Sequence, residues 1–248
     1  MKPDQLSLFA RPAPAAVGDD FVVRESARAR RMSIKVFPRG RVEVVTPRRA
    51  RPRDVEAFVR ENRDWIDRAR AEFAARYPAA DPAPPEEIDL AALQSAWRVH
   101  YRTRAGRSVR CRDLGDRLVL SGRVDDDALV VHALRRWLAT RAREHLGRQL
   151  EQLSATTGLG YRRLQIRAQR TCWGSHSGRG TISLNYCLLF LRPELVRYLL
   201  IHELCHARHM NHSRRFWQLV GRLEPDYRRL DRELGEAWTR VPAWLGLY

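Results

Sequence analysis

Lysine is almost missing from this sequence. Lys2 and Lys35 are the only two, so arginine carries nearly all the positive charge. Acidic residues are also short, 29 against 46 basic ones, which leaves a formal net charge of +17 and a pI near 11. Such an excess points to polyanionic partners, nucleic acid ahead of anionic membrane. A guanidinium forks onto phosphate better than an ammonium does, although arginine scattered over a solvated surface gives the same count. Cysteine is scarce, and Cys111, Cys172, Cys187 and Cys205 show no paired spacing and no Cys-x-x-Cys. That argues against a disulfide framework and for reduced thiols in a cytoplasmic protein. No apolar run reaches the length of a membrane span, and the N-terminus lacks the apolar stretch of a signal peptide. No membrane partner is therefore expected. Apolar residues themselves are not lacking: at 44% of 248 residues they suffice for one large domain or two small ones, each with a core.

Residues 1–20 are rich in alanine and proline, without periodicity, and are expected to form a flexible tail. Within it stands Gln5-Leu6-Ser7-Leu8-Phe9. This segment is similar to the short motif by which bacterial repair and replication proteins dock onto the DNA sliding clamp, with Leu8 and Phe9 as hydrophobic anchors. From residue 31 to 45, Met32, Ile34 and Val36 alternate with polar residues, Pro38-Arg39-Gly40 supplies a turn, and Val42 and Val44 alternate again. That is a hairpin pattern. Asp54 is placed to cap a helix reaching about residue 73, with Val55, Phe58, Val59, Ile66 and Ala69 on its apolar face and Trp65 assigned to the core. Four prolines between residues 78 and 85 mark a linker or long loop. Two short strands are expected at 97–103 and 118–121, then a long amphipathic helix from about 126 to 153. Residues 164–167 and 181–186 read as strands, and the small-residue stretch 170–180 makes the second one half of a hairpin.

Pro193 opens a further helix whose buried side is Leu195, Val196, Leu199 and Leu200. This apolar run flows into His202-Glu203-Leu204-Cys205-His206, with His209 and Asn211-His212 beyond. On a helix, His202 and His206 stand one turn apart on one face, so both imidazoles can reach one metal ion. A catalytic zinc takes three protein ligands and keeps an open position. If the helix continued, His209 would lie seven residues from His202, about 10.5 Å of rise, too far for ligands bound at about 2.1 Å. The chain must turn back. Asn211 tolerates the left-handed conformation that ends helices, so His212 is the expected third ligand and His209 lies beside the site. Glu203 is placed to act as general base in peptide hydrolysis through a metal-activated water, and the strand at 182–185 is a candidate to pair with an extended substrate.

Cys172-Trp173-Gly174-Ser175-x-Ser177, Ile182-Ser183-Leu184-Asn185, His202-Glu203-Leu204-x-His206 and Asn211-His212-Ser213-x-x-Phe216-Trp217 together resemble the YgjP-like family of zinc metallopeptidases, related to the WLM and SprT-like groups. The likeness runs from about Arg24 to Tyr227 and is strongest after Arg167. It implies zinc held by His202, His206 and His212, with Glu203 as catalytic base. It also implies an α+β fold: a zincin-like catalytic domain with a small antiparallel sheet, preceded by an N-terminal hairpin-and-helix region. The expected division is a tail at 1–20, an N-terminal α+β region at 21–122 and the catalytic domain at 123–248. Relatives usually carry cysteine where this chain has His176, and often a basic residue where it has Cys172. His176 is thus either a hydrogen-bond donor or extra ligand near the metal, or a neutral change. His176, Tyr186 and Tyr227 all stand as candidate oxyanion stabilisers.

The leading expectation is a zinc-dependent peptidase acting on protein or peptide. WLM and SprT-like relatives include enzymes that digest proteins attached to DNA, which together with the charge and the clamp-like segment suggests action near DNA. Two other classes remain: a metal-dependent hydrolase of nucleotide phosphoanhydrides, suited to abundant arginine, and a DNA-associated binding protein with a vestigial metal site.

Overall fold

The computed structural model describes residues 21–27, 29–36, 42–76, 83–169 and 172–246. The tail with its clamp-like segment and the turn Pro38-Arg39-Gly40 lie outside the described residues. The chain separates into two compact units, residues 1–80 with 248, and residues 81–247.

In the first unit, alternating apolar residues build β1 (Val22–Glu25), β2 (Ser33–Val36) and β3 (Val42–Thr46) in the order β1-β3-β2. β2 and β3 are antiparallel, with Ile34 opposite Val44, as the hairpin pattern predicts. β1 runs parallel to β3 and was not anticipated. The expected single helix is two, α1 (Pro52–Glu61) and α2 (Arg63–Arg76). α1 starts at its proline, which leaves Asp54 in the first turn instead of at the cap. The break comes at Asn62, whose side-chain amide donates to the Phe58 carbonyl at 2.8 Å. Val42, Val44, Val55, Val59 and Ile66 form the core of this unit. Trp65, expected inside, is 47% exposed. Ile66 takes the inward position, and its neighbour in a helix cannot share that face.

The second unit opens with a four-stranded sheet, β4 (Glu87–Leu90), β5 (Ser95–Thr103), β6 (Val109–Asp113) and β7 (Arg117–Gly122), in the order β4-β5-β7-β6. Only β5 and β7 were foreseen. Asp126 caps α3 (Asp127–Thr157) by accepting from the Leu129 N–H at 3.1 Å, and Gly158 ends it in the left-handed conformation. Leu134, Leu138, Leu146 and Leu150 of α3 are fully buried. Trp97 of β5 meets Trp137 of α3 edge to face at 5.3 Å, and Arg141 of α3 pairs with Asp113 of β6. These ties place the four strands with α3, so the units divide after residue 80, whereas the expected boundary was residue 122.

A second sheet follows: β8 (Arg163–Arg167), β9 (Gly174–His176) and β10 (Thr181–Asn185), ordered β8-β10-β9. β9 and β10 form a hairpin, with Ser175 opposite Ser183, so a strand arises inside the stretch 170–180 that was expected to be only the turn. β8 is parallel to β10, so the sheet is mixed, not antiparallel. It also makes β10 the central strand, its backbone engaged on both sides. Asn185 is fully buried and ties the approach to β9 in place, donating to the Gln169 and Cys172 carbonyls at 2.6 and 3.2 Å. Three helices complete the unit: α4 (Pro193–Cys205), α5 (Arg214–Leu223) and α6 (Tyr227–Glu236). Among the described residues, no helix is long and apolar enough to cross a membrane.

Candidate metal centre

α4 is apolar along most of its length. Leu195, Val196, Leu199, Leu200, Ile201 and Leu204 are buried, which fixes the helix and aims its last turn. His202 lies on that turn, and His206 sits at the C-terminal boundary. The helix stops at Cys205 because tighter bonds take over: the Ala207 N–H donates to the Leu204 carbonyl and the Arg208 N–H to the Cys205 carbonyl, at 2.9 and 3.0 Å. The His206 ring then grips the next stretch, its Nδ1–H donating to the His209 carbonyl at 3.0 Å. Asn211 does not take the left-handed conformation expected of it. Among the described residues only Gln94 does so without being glycine. The reversal thus rests on backbone bonds and the His206 ring. It returns His212 to the site just before α5.

The ligand atoms of His202, His206 and His212 all lie within 4.8 Å of one another. His202 Nε2 and His212 Nε2 are 3.0 Å apart. Two nitrogens at tetrahedral positions around an ion bound at about 2.1 Å would be separated by about 3.4 Å, so this spacing fits a shared cation. Burial, with His206 and His212 beside it, pushes His202 down to about 4, and burial lowers His206 as well. Neutral imidazole is the ligating form. Phe216 of α5, fully buried, floors the cluster, with ring centroids 5.0, 4.6 and 4.8 Å from His202, His206 and His212. On the outer side Trp217 stacks on His212, and Tyr227 stacks on Trp217.

Glu203 points elsewhere on the same helical turn. It is only 4% exposed, its Oε2 has no hydrogen-bond partner among the described residues, and burial pushes its carboxyl up to about 8. Gly174 of β9 makes room for it. A Cβ at position 174 would stand 2.8 Å from Glu203 Oε1, closer than such atoms approach. His176, two residues on, donates from Nδ1 to the Glu203 carbonyl at 2.6 Å, and its ring centroid is 6.5 Å from that of His206. It is not one of the three clustered ligands.

The other singled-out residues are placed as follows. His209 meets the site through its backbone carbonyl. Tyr227 accepts from Arg228 Nε at 3.1 Å. Tyr186 is buried, with its hydroxyl unpartnered among the described residues. Trp173 is inside, stacked on Trp238 and donating to the Leu234 carbonyl at 3.0 Å. Two residues escaped the sequence reading. Tyr198, one turn before His202, donates its hydroxyl to Asp231 of α6 at 2.6 Å and lies 3.5 Å from His202 Nδ1. A tyrosine on an apolar helix face gives only a core signal, and a carboxylate on another helix gives none.

The family described as YgjP-like, metallopeptidase domain, matches residues 30–237. The chain belongs to the YgjP-like metallopeptidases. A hydrolase that depends on a metal ion is what the family implies, and the triple-histidine cluster of this YgjP-like chain is where an ion fits. Among solved structures, the zymogen of abylysin, a metallopeptidase of Pyrococcus abyssi, matches at 28% identity over 38% of this chain and 95% of that one, with a TM-score of 0.34. The jannalysin zymogen of Methanocaldococcus jannaschii matches at 17% identity, over 38% and 96%, also at 0.34. Wss1 of Saccharomyces cerevisiae matches at 14% identity, over 54% and 92%, at 0.29. No curated protein matches the chain.

Proposed function

We propose that this chain is a cytoplasmic zinc peptidase in which His202, His206 and His212 hold the ion and Glu203 is the general base. One juxtaposition supports this reading. Three imidazole ligand atoms converge within 4.8 Å, and the residue after the first of them is a buried carboxylate with an unpartnered oxygen among the described residues. Three neutral imidazoles with an open position suit zinc.

Bound there, zinc supplies Lewis acidity, polarising a peptide carbonyl and lowering the pKa of water. A cation held by the three histidines would counter the burial that raises the Glu203 carboxyl. The carboxylate would then take a proton from the attacking water and hand it to the departing amine. Phe216 keeps the three imidazoles in register, while Tyr198 and the His209 carbonyl orient His202 and His206 through their Nδ1 atoms. β10 is central in its sheet, so β9, an edge strand that carries His176, takes the role of pairing with an extended substrate. His176 lines the groove that adjoins His206. With Nδ1–H given to the Glu203 carbonyl, its neutral ring presents Nε2 to that groove as an acceptor.

Metal analysis with a protease assay on wild type and Glu203→Gln tests the proposal. The wild type is expected to bind one zinc and cleave unfolded protein, and the variant to bind zinc without cleaving. The same preparations on nucleoside triphosphates, with and without chelator, address nucleotide hydrolysis. Undiminished function in Glu203→Gln would leave a DNA-associated binding protein instead. Action near DNA rests on the +17 charge and the segment Gln5-Leu6-Ser7-Leu8-Phe9. For it, Leu8→Ala with Phe9→Ala should remove sliding-clamp binding at unchanged zinc content, and equal binding by both proteins would overturn it.

A further inference from the structure

A groove of about 720 Å³ adjoins His206 of the histidine cluster, bounded by His176 and His206 on one part of its wall and by Tyr161, Arg162, Arg179 and Met210 elsewhere. Its volume falls in the range that holds a drug-sized ligand or several side chains. No carboxylate is among its lining residues. Glu151 acts on the Tyr161 hydroxyl but is not part of the wall.

Both arginines are exposed; Arg179 belongs to the β9–β10 turn, and Arg162, just before β8, is tied to that turn through its backbone and the stem of its side chain. The turn closes through the Gly180 N–H on the Ser177 carbonyl at 2.8 Å and the Thr181 N–H on Ser177 Oγ at 3.1 Å. Gly180 takes a positive φ of 77°, and its carbonyl receives the N–H groups of both Arg162 and Arg163, at 2.7 and 3.3 Å. The Arg162 stem lies so close over Gly180 that a Cβ there would sit 3.0 Å from Arg162 Cγ. Arg179 belongs to the same turn. Elsewhere in this unit, arginines facing carboxylates are paired: Arg141 with Asp113, Arg192 with Glu233, Arg197 with Glu224. Among the described residues, neither Arg162 nor Arg179 has an ion-pair partner. Two guanidinium-bearing residues lining one groove with His206, and no carboxylate among its lining, are complementary to a carboxylate on a bound peptide.

We propose that Arg162 and Arg179 form a specificity site for an acidic residue of the peptide substrate, placed near the bond that is cut. This rests on the peptidase reading above. The Gly180 contact sets where the Arg162 guanidinium starts from, and the groove gives an aspartate or glutamate side chain access beside the metal site.

The test uses the full zinc-loaded chain on a library of peptides from denatured proteins, with cut sites mapped by mass spectrometry. Three proteins are compared: wild type, Arg162→Gln with Arg179→Gln, and Arg162→Glu with Arg179→Glu, each checked for zinc content and melting temperature. Wild type is expected to enrich Asp or Glu at one fixed position relative to the cut. In the glutamine variant the ratio of kcat/KM for acidic over neutral peptides falls about tenfold, the scale of a lost charge-assisted hydrogen bond. In the glutamate variant the preference turns towards Lys or Arg. Cleavage by wild type with no acidic enrichment overturns the inference and leaves the peptidase reading standing. So does a pair of variants that loses single-stranded DNA binding while keeping the peptide preference. If zinc-loaded wild type cuts no peptide at all, the peptidase reading fails first and takes the inference with it.

Discussion

Two carboxylates in the same compact unit are treated in opposite ways. Asp113 is met by donors on every side: the indole N–H groups of Trp97 and Trp137 at 3.2 and 2.8 Å, the Gly115 N–H at 2.9 Å and Arg141 Nε at 3.0 Å. Glu203 is deeper and has an oxygen that receives nothing among the described residues. Burial pushes both carboxyls upward. At Asp113 the hydrogen bonds, that of Trp137 first and then those of Gly115 and Arg141, overcome burial and hold it below the usual carboxylate range. At Glu203 no such bond opposes burial, and the carboxyl rises to about 8. Desolvation without compensation destabilises a fold. The contrast fits two different ends: Asp113 joins a sheet to a helix, and Glu203 is the proposed general base.

Exchanging the partners of these two groups should separate their roles. Glu203→Gln is expected to lower kcat/KM on a peptide substrate by about 10²- to 10⁴-fold, with a melting temperature unchanged or raised, because a neutral amide replaces an uncompensated carboxyl. A rate within a few-fold of wild type would remove Glu203 from the reaction. Asp113→Ala should do the reverse. It leaves two indoles and a guanidinium without their acceptor and lowers unfolding free energy in urea by about 2–4 kcal/mol, with zinc affinity unchanged. A loss below about 1 kcal/mol would show that the joint is not structural.

Tyr198→Phe sits between the two cases. Removing the hydroxyl that links Asp231 to His202 should weaken zinc about tenfold in competition with a chromophoric chelator, with the fold retained by circular dichroism. Equal affinity would mean that the hydroxyl does not orient the imidazole. The smallest effect concerns pH. The folded pKa of Asp113 lies below its unfolded value of about 3.9, so its contribution is present above that value and is lost as pH falls through the folded one. The stability gap between wild type and Asp113→Asn should therefore narrow below about pH 4. A gap that stays constant to pH 2 would contradict the depressed pKa.

How much of this was legible in the sequence follows the range of the forces involved. The amphipathic α3 and the apolar run of α4 that delivers His202 and His206 depend on near neighbours in the chain, and their patterns were readable. His212 was reached from helix rise alone, yet by the wrong device. Asn211 needed no left-handed turn, because His206 bonds the backbone three residues on, a contact between a side chain and a loop that no propensity encodes. Strands β1, β4 and β6 were missed because each is short and carries only two apolar residues, too few for a pattern to stand out before a partner strand is known. Trp65 was misplaced because it adjoins Ile66, and only one of two consecutive helix residues can face inward. The donors around Asp113 and the Asp231–Tyr198–His202 line join residues from separate elements, so nothing local announces them.

Gly174 carries a consequence of its own. The atom closest to an added Cβ is the tip of a movable glutamate, while the side-chain carbons behind it stand at 3.1 Å. A larger residue there would displace Glu203 without tearing the sheet apart. In a library randomised at this codon, selection for folded protein should therefore pass alanine and serine alongside glycine, and selection for cleavage should return glycine. The requirement at position 174 is inherited from position 203, and it should relax once that glutamate is shortened to aspartate.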